Sequence, residues 1–285
     1  MFLKRESEMS NFWTRTISGA VFIAVVLAGL LIDKWLFAAM MLLVSVVMLQ
    51  EFYSLSIGHR ARKSRILAII TGASLFCLIF LINAGFIPAV YASVAILPLL
   101  GIMVSSLYVK GNDDFRLYPY IYTGLLYIAI PLAVSNYLAF DREGNFSGLL
   151  ILGFLCIIWC SDVGAYCVGS LFGKGGEKMC PEISPKKSWA GFWGGMGFSV
   201  LAGVLLSVFG LFDFPWIHAA ILSVIMHVAG VYGDLFESRW KRVCGVKDSG
   251  TIIPGHGGLL DRFDSALFAV PSGALYLLLT GLLSR

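Results

Sequence analysis

Charge is scarce in this chain. Asp, Glu, Lys and Arg make up 13% of its 285 residues and hydrophobic residues 58%, whereas an ordinary soluble domain carries about 25% charged and roughly 45–50% apolar residues. With a mean hydropathy of +0.84, the chain has too little polar surface to cover a water-facing core, which argues against a soluble enzyme and a disordered tail protein. A disulfide scaffold is also a poor fit. The six cysteines form no CxxC, and Cys77, Cys156, Cys160 and Cys167 lie inside apolar runs, where they read as buried thiols. The net charge of +4 is modest and gives no reason to invoke nucleic acid. Neither an internal repeat, a Ser/Pro-rich linker, a Walker A loop nor a Ser-His-Asp arrangement is present.

What is present is a succession of long apolar stretches. A helix needs about 20 mostly apolar residues to cross the hydrocarbon, and nine stretches qualify, near 14–32, 35–55, 66–84, 87–108, 120–140, 148–171, 191–212, 215–236 and 263–283. The eighth is the least uniform, because His218, His227 and Asp234 interrupt it. The first follows Lys4, Arg5 and Arg15 as a signal peptide would, but it has no convincing small-residue cleavage site and is expected to be a retained span. Basic residues favour cytoplasmic loops. With the N-terminus inside and nine spans, all of the 21 Lys and Arg except Lys34, Arg142 and Arg285 fall on the cytoplasmic side. The sequence therefore predicts an all-α, polytopic helical bundle of about nine transmembrane helices with a cytoplasmic N-terminus. Residues 1–145 would supply about five spans, and 146–285 a catalytic region with two long cytoplasmic loops, 172–190 and 237–262.

Three polar stretches interrupt the apolar pattern. In the first, Asp234, Glu237, Ser238 and Lys241 recur at i, i+3, i+4 and i+7, one stripe of a helix. A carboxylate at the membrane edge is costly and marks function by default, although Glu237 and Lys241 are also spaced to pair locally. The second runs from Lys247-Asp248-Ser249-Gly250 through Pro254-Gly255-His256-Gly257-Gly258 to Asp261-Arg262-Phe263-Asp264. Glycines around a His let backbone N–H groups approach phosphate oxygens. Asp261 and Asp264 are spaced either to hold a divalent cation or to favour a helix dipole. The third holds Ser161-Asp162 inside an apolar run, then Ile183-Ser184-Pro185-Lys186-Lys187. Its lysines suit a triphosphate, a lipid phosphate or anionic headgroups equally. Carboxylates for a cation, basic residues for phosphates and a glycine-rich turn together suit phosphoryl or nucleotidyl transfer.

The run from Ser238 to Asp264, with Lys241-Arg242, Lys247-Asp248, Pro254, His256-Gly257-Gly258 and Asp261-Arg262-Phe263-Asp264, closely resembles the signature of phosphatidate cytidylyltransferases (CDP-diacylglycerol synthases). The resemblance extends upstream through Gly233 to Glu237, Ile183 to Lys187 and Ser161-Asp162, roughly the C-terminal half. It implies a Mg²⁺-dependent reaction in which CTP and phosphatidic acid give CDP-diacylglycerol and pyrophosphate, in a bacterial inner membrane with the site on the cytoplasmic side. By position, Asp234 and Asp261 would lead the metal ligands, with Asp264 a further or alternative one. Lys186, Lys187, Lys241, Arg242 and Arg262 would neutralise phosphates, and Ser184, Ser238 and His256 would hydrogen-bond nearby. Partners would be the two substrates and membrane lipid, with no nucleic acid and homo-oligomerisation left open. Val163, Ser170 and Ala190 depart from the family pattern, which bears on details of the substrate site. A CTP-using polyprenol kinase or another lipid nucleotidyltransferase would carry similar equipment. A transporter would instead spread its polar residues toward the midplane.

Overall fold

Backbone groups in hydrocarbon have no water to bond, so each apolar stretch must satisfy its own N–H and C=O groups. The computed structural model, which describes residues 2–108, 115–141 and 143–283, does so with helices. They are α1 (Phe2–Leu31), α2 (Lys34–Ser56), α3 (Arg62–Asn83), α4 (Ala89–Ser106, opening with a 3-10 turn), α5 (Tyr118–Ala139), α6 (Leu149–Phe172), α7 (Trp189–Val208), α8 (Trp216–Val243), α9 (Leu260–Phe263) and α10 (Ala266–Leu279). Lys110, Arg142 and Arg285 lie outside the described residues, as do the side chains of Lys4 and Arg5.

Among the described residues, eight helices are long and apolar enough to cross a membrane, α1 from Trp13 onward and α2 to α8. They coincide with the first eight expected spans. The ninth expectation, 263–283, needs correction in its form. The chain turns at Asp264-Ser265, between α9 and α10, and α10 has only 14 residues, about 21 Å at 1.5 Å per residue. The Asp264 carboxylate accepts the N–H of Ser265 at 2.6 Å, diverting a donor from the helical ladder at the break. One loop also carries strand. Within 172–190, β1 (Lys178–Cys180) pairs antiparallel with β2 (Ser184–Ser188).

Local chemistry explains several boundaries. Asp33 caps α2 by accepting the N–H of Trp35 at 2.6 Å, and Ser188 caps α7 by accepting that of Gly191 at 3.2 Å. In α5 a π-helical turn at Leu125–Ala129 precedes Pro131, whose ring has no N–H to return to the preceding turn. Helices α6 and α7 meet through small residues. A Cβ added at Gly191 would lie 3.0 Å from the Ala165 carbonyl, a closeness that glycine-lined membrane interfaces permit. Helix α2 supplies much of the core through Phe37, Met48, Leu49, Phe52 and Tyr53, while Ile17, Val21, Leu43 and Leu201 face outward. In the eighth span His218 and His227 are not free. Their Nδ1 atoms lie 2.8 Å from Tyr276 Oη and 2.7 Å from Ser161 Oγ.

Candidate active site

The C-terminal turns of α8 present the expected stripe. Ser238 Oγ donates to Asp234 Oδ1 at 3.1 Å, and Lys241 pairs with Glu237 one turn back. The local-pairing alternative for Glu237 is thus realised, but not in solvent. The Glu237 side chain is fully buried, and its Oε1 has no hydrogen-bond partner among the described residues. Lys241 also donates to Asp261 Oδ1 at 2.6 Å, so one ammonium bridges two carboxylates. The stripe is held in place by Trp240, which stacks on Phe52 of α2 at 4.5 Å between centroids and donates from Nε1 to Ser56 Oγ.

Asp261 is the most heavily bonded carboxylate of the site. Its Oδ2 accepts the N–H groups of Ser249 and Gly258, each at 2.8 Å, and lies 3.0 Å from Ser249 Oγ. Burial works to raise its carboxyl, but Lys241 and the two backbone donors outweigh burial and hold it below the usual carboxylate range. Beside it stands a residue that the sequence reading passed over, Glu51 of α2. Glu51 is buried and accepts the N–H groups of Leu259 at 3.0 Å and Leu260 at 2.8 Å. Ser249 Oγ lies 3.2 Å from Glu51 Oε2 and has one hydrogen to share between the two acids. The signal was available, since Glu51 is a carboxylate at the end of an apolar stretch; its partners, some 200 residues away, were not.

Gly258 is enclosed by this cluster. A Cβ there would lie 2.7 Å from the Gly250 nitrogen and 2.8 Å from Glu51 Oε2, as well as against Ser249 Oγ. Gly258→Ala is therefore expected to destabilise the protein by about 1–3 kcal/mol. A thermal midpoint in detergent equal to that of wild type would refute the packing argument.

Two cavities touch the segment from Leu260 to Ser265, one at Ser265 and the other at Arg262. The first, about 550 Å³, lies among α6, the hairpin and α8, and brings together Asp162, Asp234, Lys174, Lys178, Lys186 and Lys187. Lys187 reaches from β2 to pair with Asp234 Oδ2 at 2.7 Å, and the two side chains keep 24% and 30% of their exposure. The second cavity, also about 550 Å³, is lined by Arg15, Lys247, Asp248, His256, Arg262 and the glycine turn. Arg262 also donates to the His256 carbonyl at 2.8 Å, and His256 Nδ1 lies 3.0 Å from Ser18 Oγ. Six expected residues line neither cavity: Asp261, Lys241, Ser238 and Asp264, which belong to the carboxylate cluster or adjoin it, and Arg242 and Ser184, which stand apart. Arg242 is exposed and donates to the Val246 carbonyl at 3.3 Å, and Ser184 opens β2 opposite Cys180. Of the three departures from the family pattern, Ser170 lines the first cavity, Val163 faces outward, and Ala190 sits in the first turn of α7.

The donor set can be compared with what Mg²⁺ requires. Among the described residues no group of three or more His, Cys, Asp or Glu side chains converges as a ready-made cage. Mg²⁺ does not require one, because it keeps several waters, uses one or two carboxylates and completes its shell with substrate phosphates. Asp234, facing the first cavity together with Asp162, fits that requirement. Asp261 has one oxygen on Lys241 and the other among the Ser249 and Gly258 donors, and Asp264 is partly buried.

A model of the cytidylyltransferase family matches residues 13–280. The chain belongs to the cytidylyltransferase family. The match takes in α2 and Glu51 as well as the signature turn, so membership rests on both halves of the chain. Curated relatives carry a finer name. A phosphatidate cytidylyltransferase of Bacillus subtilis is 37% identical over 187 residues, 65% of this chain and 67% of that protein. Phosphatidate cytidylyltransferases of Staphylococcus saprophyticus and Mycobacterium bovis are 44% and 42% identical over 122 and 145 residues, 43% and 51% of this chain. The chain spans about half the length of these last two, 46% of each. In this cytidylyltransferase the helices bring the lysine pair and Asp234 to one cavity, and the glycine turn with His256 and Arg262 to another.

Proposed function

We propose that the protein is a CTP:phosphatidate cytidylyltransferase of phospholipid biosynthesis, a multi-pass protein of the bacterial cell membrane with its site on the cytoplasmic side. The observation that carries the reading is the first cavity, where Lys186 and Lys187 stand beside Asp234 at the end of a membrane-length helix. A lipid phosphate needs cations at the membrane edge and a site reachable from the bilayer. The names of the relatives supply the substrate pair, and the asymmetry of basic residues supports the orientation.

In this reading the lipid phosphate oxygen attacks the α-phosphorus of CTP, the bond between the α-phosphorus and the bridging oxygen breaks, and pyrophosphate leaves. No protein nucleophile is required. Lys186 and Lys187 hold the lipid phosphate and offset its repulsion by the incoming triphosphate. Lys241, between Glu237 and Asp261, keeps the stripe and the signature turn in register. Asp234 would be the leading holder of Mg²⁺, with Asp162 facing it and Asp261 and Asp264 nearby. When bound, the ion would supply charge neutralisation at the transferred phosphates.

The test is incubation of the purified protein in detergent with phosphatidic acid, Mg²⁺ and either α-labelled or γ-labelled CTP in parallel, following label into the organic phase. Label in a CDP-lipid with release of pyrophosphate supports the reading, and transfer from the γ-phosphate alone replaces it with a kinase. Lys187→Gln is expected to raise the KM for phosphatidic acid roughly tenfold, the scale of one charge-assisted hydrogen bond. An unchanged KM would remove Lys187 from the lipid site.

A further inference from the structure

We propose that the second cavity is a polyphosphate-binding site and that Arg15, on the N-terminal helix, is one of its ligand-binding cations. Four residues of α1, spaced i, i+3, i+4 and i+7, face the signature turn. The Arg15 side chain lies against Gly255, and Ser18 Oγ donates to the Pro254 carbonyl at 2.9 Å or to His256 Nδ1 at 3.0 Å. Gly19 faces the His256 ring, and Phe22 meets Phe263 edge-on at 6.0 Å. This seat fixes where the Arg15 guanidinium stands. Gly255 and Gly257 have φ of +76° and +86°, values that side-chain-bearing residues rarely adopt, and a Cβ at these positions would meet Arg15 and Asp261, so the glycines let the turn close against both.

The charges point to the ligand. Arg15, Lys247 and Arg262 come from three separate segments, face one cavity of about 550 Å³, and make no ion pair among the described residues. Asp248 is the one carboxylate in the lining. A single phosphate would engage only part of such a wall, whereas a chain of two or three phosphates can meet all three cations, and a concave basic site concentrates such anions. Arg262 lines this cavity and Ser265, three residues on, lines the first, so both cavities meet the same short segment of chain. The identity of the ligand as the CTP triphosphate or its pyrophosphate product rests on the cytidylyl-transfer reading; the presence of a polyphosphate site does not.

The test is equilibrium binding of CTP and of pyrophosphate to the full chain in detergent, for wild type, Arg15→Gln, Arg15→Lys and Lys247→Gln, with the KM for phosphatidic acid measured alongside. Arg15→Gln and Lys247→Gln are each expected to weaken both ligands about tenfold, Arg15→Lys to recover most of the loss, and the KM for phosphatidic acid to stay within about twofold in all three. Lys247→Gln lies outside the helix seat, so it decides the question even where an Arg15 variant fails to fold. Pyrophosphate and CTP binding retained in both Gln variants, or a shift confined to phosphatidic acid, would overturn the proposal. If wild type converts no CTP yet binds pyrophosphate in an Arg15-dependent way, the transfer reading fails and this site stands.

Discussion

Asp261→Asn is expected to remove most of the transferase activity and to loosen the signature turn in the same step. An amide cannot replace this carboxylate. It would bring its own N–H groups toward either Lys241 or the Ser249 and Gly258 donors, all of which now point at Asp261. Lys241, only 11% exposed, would be left with Glu237 alone. Breaking a buried ion pair costs about 3–5 kcal/mol, and since each 1.36 kcal/mol is tenfold in rate, transfer should fall by roughly 10²–10³-fold if most of that cost falls on the transition state. The pH dependence of stability provides a second readout. The Asp261 carboxyl is held below its ordinary value, with burial opposing and Lys241, Ser249 and Gly258 prevailing. Its contribution is therefore complete above the unfolded value of about 3.9 and is lost as pH falls through the lower folded value. Thermal midpoints measured from neutral pH down past that window should fall more steeply for wild type than for Asp261→Asn. Parallel acid limbs, or an Asn variant with near-normal turnover, would contradict the assignment.

Glu51→Ala is expected to be comparably damaging although no substrate needs to touch residue 51. Truncation leaves the N–H groups of Leu259 and Leu260 and the Ser249 hydroxyl facing a gap in a buried region. Each orphaned donor costs about 1–3 kcal/mol. Allowing for water entry and for Asp261 taking over Ser249, a loss of about 3 kcal/mol is expected, accompanied by faster proteolysis of the 245–258 loop. Glu51→Gln keeps one acceptor oxygen and should fall between wild type and Ala. Unfolding in detergent measures the ranking, and an Ala variant as stable as the Gln variant would mean that Glu51 does not anchor the turn.

How much of this was legible differs from residue to residue. Asp234, Ser238 and Lys241 could be placed on one helical face because their spacing is that of a single helix, and the structure keeps them there. Lys187 could be named but not located. Its pairing with Asp234 depends on the β1–β2 hairpin folding back across α8, and Pro and Lys in a loop carry no sign of a strand. Arg242 looked equivalent to Lys241, its chain neighbour. One residue along a helix is a turn of about 100°, enough to send Arg242 to the outside and Lys241 into the cluster. Arg15 read only as part of a basic N-terminal flank, because nothing local to it indicates the glycine turn that it meets.

The solvent, the helical class, the first eight spans and the polar stretches that make the site were determined by the sequence alone. Hydrophobicity and periodicity act within about 20 residues, so they can be read along the chain. The break at Asp264-Ser265, the anchoring of the turn by Glu51, the burial of the Glu237–Lys241–Asp261 cluster and the division of the basic residues between two cavities were decided by tertiary structure. Each joins groups that are distant in sequence or separates groups that are adjacent. The energies involved belong to pairs of buried charges and donors that exist only once the helices have packed.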